Sequence, residues 1–341
     1  MKALVYEKSK KAGLCYAMTA EGVELPVIDI THPAFALDLS REALAAQTAQ
    51  FVRETEQRAK IPALIQRLLL RVVLRKSVLA RGIQAVSGGF LDGLSTYLLK
   101  LGPDNLGSYA APVDRKIAAS LPALAARLRL AEVARLLADG LAPALAAGPN
   151  KPCHLLNLGG GPAIDSLNAL LLLQKERPGL LAARAICIHV LDIEEAGALF
   201  GNRALQALLA EGAGLHGLSV ELRHVRYDWS WASDLRTLLA ALTAEETVMA
   251  CSSEGALFEY GSDEDITTNL AAFHGGSPGE AFVVGSVTRA DEAAIAVNAS
   301  SQIKVRMRGM QLFQPLAEQS GWSLDQKIEG PLSDQIRLRK A

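Results

Sequence analysis

From residue 151 onward, short β-rich runs alternate with helical patterns, and this alternation limits the fold more than any other feature of the chain. Candidate strands cover residues 153–158, 185–191, 220–227, 247–252 and 282–287. Candidate helices follow them in turn, over 165–176, 197–211, 233–240, 263–274 and 309–320. A strand, a helix and a parallel strand form a right-handed crossover. The pattern therefore predicts a mostly parallel sheet with helices on both faces. Two last strands, 322–328 and 334–339, are joined only by a short link around Gly330 and Pro331. With no helix between them, they should pair antiparallel at one edge.

The first half reads differently. An extended run over 25–30 is closed by Thr31, His32 and Pro33. Helical periodicity then predicts a helix over 40–59 with Ser40 as its cap, and another from Pro62 to about Gln84. A shorter helix is expected over 90–101, and one or two over 113–147 with an interruption near Gly140. Gly148 and Pro149 mark the best boundary, dividing a mainly helical domain, 1–148, from an α/β domain, 149–341.

Composition narrows the function. Half the residues are hydrophobic, which excludes a disordered chain. With 35 Lys and Arg against 36 Asp and Glu, the chain lacks the basic footprint of a nucleic-acid binder. The most apolar stretch, 64–80, contains Arg67, Arg71, Arg75 and Lys76, so no membrane span is expected. The polar, basic N-terminus lacks the apolar stretch of a secretory signal. No two of Cys15, Cys153, Cys187 and Cys251 lie within four residues of each other. A CxxC unit is therefore absent and a reduced, cytoplasmic setting is expected. The three strand cysteines read as core, and no metal site is expected.

The most informative segment runs from His154 to Leu167, where a strand enters three glycines and then a helix. Glycines there let the chain turn tightly and let a ligand approach the backbone. Pro162 suits the first helical turn, and Asp165 complements the positive helix N-terminus. A dinucleotide fingerprint, G-x-G-x-x-G, would use Gly159 and Gly161 but meets Ile164 where its third glycine belongs. The segment instead resembles motif I of the class I S-adenosylmethionine-dependent methyltransferases, [E/D]-x-G-x-G-x-G. Asn157, Gly159, Gly161 and Ala163 fall on its four positions, the first and last as departures. The second strand ends in Asp192, where this family and dinucleotide enzymes both place a ribose-binding acid. Asp228 and Trp229 follow the third strand, where the family binds and covers adenine. The fourth strand leads into 252–260, the place of motif IV beside the methyl group.

This resemblance covers residues 150–340. It implies a Rossmann-like, seven-strand, mostly parallel sheet with an antiparallel edge strand, and S-adenosyl-L-methionine as the cofactor, converted to S-adenosyl-L-homocysteine. The implied cofactor site comprises Asn157, Gly159, Gly160, Gly161, Pro162, Asp165, Asp192, Ile193, Asp228, Trp229 and Ser252, with Tyr97 reaching from the helical half. No Asn-Pro-Pro-Tyr sequence follows the fourth strand, which disfavours nucleic-acid bases and protein glutamine as acceptors, and the triple glycine resembles the variant in many small-molecule O-methyltransferases, which implies a small-molecule acceptor. If the acceptor must lose a proton, Glu254, Glu259 and Tyr260 are the nearest catalytic candidates. In this family, helices ahead of the catalytic domain cover the acceptor pocket or build a homodimer. Residues 57–91 hold seven bases and no acid, with Arg67, Arg71 and Arg75 on one helix face. A nicotinamide-dependent oxidoreductase and a non-catalytic protein on the same fold remain alternatives at this point.

Overall fold

The computed structural model describes residues 4–59, 77, 79, 93–300 and 305–341. Apart from Ser77 and Leu79, the helix expected over 62–84 lies outside the described residues, as do the bases Arg67, Arg71 and Arg75. The chain starts with a small antiparallel hairpin, β1 (Tyr16–Met18) and β2 (Glu24–Pro26). Helices α1 (Arg41–Ala59), α2 (Gly93–Lys100), α3 (Pro112–Ala118) and α4 (Leu121–Ala147) follow. Ser40 caps α1 as expected, its Oγ accepting from the Ala43 N–H at 3.1 Å.

The alternating part then builds β3 (Cys153–Leu158), α5 (Ile164–Glu176), β4 (Ala185–Asp192), α6 (Glu195–Leu209), β5 (Ser219–Arg226) and α7 (Ser233–Leu242). It continues with β6 (Val248–Ser253), α8 (Leu257–Tyr260), α9 (Asp263–Gly276), β7 (Phe282–Thr288), α10 (Glu292–Ser300), α11 (Gly309–Gln319), β8 (Trp322–Glu329) and β9 (Ser333–Lys340). The seven strands from β3 onward form one sheet in the order β5-β4-β3-β6-β7-β9-β8. Every pairing is parallel except those of β9, which runs antiparallel to both β7 and β8. The closing pair sits at one edge, and the last strand is the inner member of that pair. Strands β6 and β7 are buried along their whole length, as a sheet covered on both faces requires.

The interruption expected near Gly140 is not there: α4 runs unbroken from Leu121 to Ala147. Gly140 serves close packing instead. A Cβ at that position would lie 2.5 Å from the Phe282 ring, so only glycine lets α4 rest against β7. The break lies earlier, at Ala119 and Ser120 between α3 and α4. The C-terminal carbonyls of α4 would lack partners. The guanidinium of Arg184 donates to the carbonyls of Leu145 at 2.9 Å and Gly148 at 3.1 Å. Periodicity alone did not mark α10, or the single turn α8 within the segment read as a loop.

One hydrophobic core joins the two halves, with Leu130, Leu137 and Leu141 of α4 in the same cluster as Leu155, Leu170 and Phe282. The N-terminal segment is fastened to this body by side chains. Asn168 on α5 donates to the Ile28 carbonyl at 2.9 Å and accepts from the Ile30 N–H at 2.8 Å. Arg203 on α6 donates to the Met18 carbonyl at 2.8 Å.

Candidate active site

In an open parallel sheet, ligands gather beyond the carboxyl ends of the strands, where the strand order reverses. Here β3 is followed in sequence by β4 on one side and in space by β6 on the other. A cavity of about 460 Å³ opens at this point. Its floor is the glycine turn. Gly159 and Gly161 adopt φ of 63° and 50°, left-handed values that ordinary side chains resist. Ala163 keeps the same conformation, at φ 52°, although it carries a side chain. Ile164 is buried and does not keep α6 away from the turn. Gly197 of α6 makes the close approach, since a Cβ there would lie 2.7 Å from the Gly161 Cα. The glycine that a dinucleotide fingerprint places on its own helix is thus found on the neighbouring one, a signal the sequence reading missed.

Beneath the turn lies a buried polar knot. Asn157 Nδ2 donates to Asp165 Oδ1 at 2.6 Å and to Ser252 Oγ at 2.9 Å, tying β3 to α5 and β6. Asp165 Oδ2 is buried and has no hydrogen-bond partner, although Asp165 lines the cavity. Burial, reinforced by the charge of Glu254, raises the Asp165 carboxyl above its ordinary value. Asn157 and Ser252 are placed behind the cavity wall rather than on it.

Asp192 and Asp228 stand on the far wall with Ile193, Glu194, Trp229 and Ser230. Asp192 Oδ2 accepts from the Gly161 N–H at 3.0 Å, and its Oδ1 from the Glu194 N–H at 3.0 Å. Asp228 Oδ1 accepts from the Ser230 N–H at 2.9 Å, the local turn that aspartate favours. Each carboxylate keeps acceptor capacity for a ligand. Ile193 is half exposed, at 52%, beside the cavity.

The opposite wall joins the two halves of the chain. Lys100 of α2 and Arg129 of α4 both bind Glu254, Arg129 Nε at 2.6 Å. Arg129 Nη1 also binds Glu259 at 2.7 Å, and Thr288 Oγ1 donates to the same Glu259 oxygen at 3.1 Å. Burial alone would raise the Glu254 carboxyl, but Lys100 and Arg129 together hold it below the usual range. Glu254 and Tyr260 line the cavity and Glu259 does not. Burial raises the Tyr260 phenol, which therefore stays protonated. Tyr97 borders the cavity, but its hydroxyl is engaged elsewhere. It donates to the Pro26 carbonyl at 2.6 Å and accepts from the Ile28 N–H at 2.9 Å. The sequence reading gave no role to Arg129 or Lys100.

No helix among the described residues is long and apolar enough to cross a membrane. No family model and no curated protein sequence matches the chain. Solved structures do resemble it. A possible exported protein from Bordetella parapertussis aligns with TM-score 0.58 and 19% identity, over 89% of this chain and 99% of that one. Magnesium protoporphyrin IX methyltransferase from Synechocystis aligns with TM-score 0.44 and 10% identity, over 73% and 94%. The mitomycin 7-O-methyltransferase aligns with TM-score 0.42 and 13% identity, over 93% and 77%. The fold that the motif resemblance implied, a Rossmann-like seven-strand sheet, is the fold this chain has.

Proposed function

We propose that this protein transfers a methyl group from S-adenosylmethionine to a small-molecule acceptor. The observation that carries this reading is the charge of the cavity. Among the described residues, Asp165, Asp192, Glu194 and Asp228 line it without a cationic partner, beside Glu254, whose charge is taken up by Lys100 and Arg129. A dinucleotide would bring a pyrophosphate into this acidic field. S-adenosylmethionine brings a sulfonium and an ammonium, with a ribose diol and an adenine amino group as further donors. The donors and acceptors match. Asp165 Oδ2, buried and without a partner, suits the ammonium. Asp192 suits the diol and Asp228 the adenine amino group, with Ile193 and Trp229 as the covers of the ring. The glycine turn leaves room for the amino-acid end.

When bound, S-adenosylmethionine supplies an electrophilic methyl group on sulfur. What this chain supplies is placement and exclusion of water. Well-oriented reactants reach effective molarities of about 10⁵–10⁸ M, so placement can provide most of the acceleration. A strong base is not evident on the β6 wall. Glu254 and Glu259 are ion-paired and Tyr260 is held protonated. In this reading the two glutamates clamp α2 and α4 onto the sheet, and the phenol donates a hydrogen bond to the acceptor. Asn157 and Ser252 brace the turn from behind rather than touch the cofactor. The helical half covers the acceptor, and with its cysteines unpaired the protein works in the cytoplasm.

Calorimetric titration with S-adenosylhomocysteine and with NADH, in parallel, tests the reading. Binding of the former and not the latter is expected. The reverse would assign a nicotinamide enzyme. Cofactor binding without turnover of any acceptor across a broad panel would assign a non-catalytic protein on this fold.

A further inference from the structure

Away from the cavity, three metal-binding side chains meet on one face of the sheet. His154 on β3 and Cys187 on β4 are register partners, and His189 lies two residues beyond Cys187 on the same face. His154 Nδ1 and His189 Nε2 are 3.1 Å apart, and Cys187 Sγ is 4.0 Å from His189 Nδ1. One donor atom from each residue can be chosen so that all three lie within 4.8 Å of one another. His189 and Cys187 are buried and His154 partly so. Along β3, β4 and β6 these positions share their face with Leu156, Leu158, Leu191 and Cys251, and at the β5 edge with the ion-paired Glu221 and Arg223. Three polar groups in such a place need a reason, since burying them costs free energy that apolar residues would not.

We propose that His154, Cys187 and His189 form a binding site for a zinc-class divalent cation. Imidazole nitrogen and thiolate sulfur are the donors that zinc prefers, in sites that are almost always four-coordinate. Zinc–nitrogen bonds of about 2.0–2.1 Å and zinc–sulfur bonds of about 2.3 Å need donor atoms some 3.3–3.6 Å apart. The two short distances run to opposite nitrogens of His189, of which one ion can use only one, so a bound ion draws in three donors that now lie within 4.8 Å of one another. The fourth position has a protein candidate. Glu221 on β5 is the register partner of Cys187, and to reach the ion its carboxylate would exchange its pairing with Arg223, now at 2.6 Å. Binding displaces the thiol proton to solvent, leaving Cys187 as the thiolate. The site would pin β3, β4 and β5 together three residues before Asp192, about 10 Å along the strand from the cavity. It is independent of the methyl-transfer reading.

The test uses the full chain stripped with chelator, then titrated with Zn²⁺ against a chromogenic competitor, and separately with Co²⁺. One equivalent of zinc per chain is expected, with a thiolate-to-cobalt charge-transfer band. Thermal unfolding should shift upward as zinc is added, because a ligand that binds only the folded state stabilises it. Cys187→Ser should abolish the band. It should also weaken zinc binding by more than the roughly 10–100-fold typical of outer-shell substitutions. Cys251→Ser, on the same face but outside the cluster, should keep both. His154→Gln, at the partly exposed member, is the second variant should Cys187→Ser fail to fold, and it should lose zinc to the same degree. Absence of binding by the stripped wild-type chain, or a cobalt band that survives in Cys187→Ser, overturns the proposal.

Discussion

Two walls of one cavity use carboxylates in opposite ways. On the glycine-turn side, Asp165 has an unpartnered oxygen and a carboxyl pushed up by burial. On the β6 side, Glu254 is held between Lys100 and Arg129 and is pushed down. Both side chains are buried and both line the same space. The difference is what each already holds. A carboxylate with its charge compensated by the protein is a fastening, while one left uncompensated is a vacancy for a cation. Position along the chain does not distinguish them, but the neighbours supplied by α2 and α4 do.

The largest effect that tests this contrast should come from Arg129. Removing one partner from a buried ion pair leaves an uncompensated charge, typically at a cost of about 3–5 kcal/mol. Arg129→Leu strands Glu259 and half-strands Glu254, so urea unfolding should show a loss in that range. Adding Glu259→Gln to that variant should return part of it. A loss under about 1 kcal/mol would mean that the β6 wall is not fastened through this residue.

The next effect is on binding. Asp192→Ala and Asp165→Asn should each weaken S-adenosylhomocysteine at least about tenfold, equivalent to about 1.4 kcal/mol. Hydrogen bonds to charged groups are worth roughly 1.5–3 kcal/mol, which sets that lower bound. Asp165→Asn should leave stability unchanged or improved, because it removes a buried charge with no cation on it. Equal affinities for wild type and Asp165→Asn would remove the ammonium from that site. Gly159→Val sharpens the same wall. A Cβ there meets the Ala256 Cβ at 2.6 Å and the Trp229 ring at 3.0 Å, so both binding and local packing should suffer. Undiminished binding by this variant would place the ligand elsewhere.

How far these roles were legible in the sequence depends on how local their causes are. The parallel sheet and its antiparallel edge follow from alternation, crossover handedness and a missing last helix, all readable along the chain, whereas the order that places β9 between β7 and β8 does not. The place of Asp192 and Asp228 on the cavity was legible because they stand at strand ends, and strand ends in such sheets face one edge. The role of Glu254 was not. Its cations come from Lys100 and Arg129, 154 and 125 residues away, and Arg129 looks like any charge on a Leu/Ala-rich helix. Gly140 misled for a related reason: a glycine that admits Phe282 and one that breaks a helix are the same letter. The pairing of His154 with Cys187 needed the register of β3 against β4, which spacing in sequence does not contain.

The smallest effect, and the one that reads both walls at once, is the dependence of stability on pH. The unfolded chain sets the references, 4.5 for a glutamate and 3.8 for an aspartate. Glu254 has a folded value below its reference, so its contribution is complete above pH 4.5 and is lost as pH falls through the folded value. Asp165 has a folded value above its reference. Its contribution is complete below pH 3.8 and is lost as pH rises through the folded value. The two slopes therefore oppose each other in mildly acid solution. Glu254→Gln should flatten the loss of stability below pH 4.5, and Asp165→Asn should flatten the loss above 3.8, both read by urea unfolding across pH 3–7. Ligand should act on only one wall. An ammonium on Asp165 favours its charged form, so S-adenosylhomocysteine should release a proton on binding, and its affinity should rise with pH through the range where Asp165 titrates. Calorimetry in buffers of different ionisation enthalpy measures that proton directly. Its release by wild type and by Glu254→Gln, but not by Asp165→Asn, would assign it to the glycine-turn wall. Release that survives in Asp165→Asn would show that the two walls are not distinguished in this way.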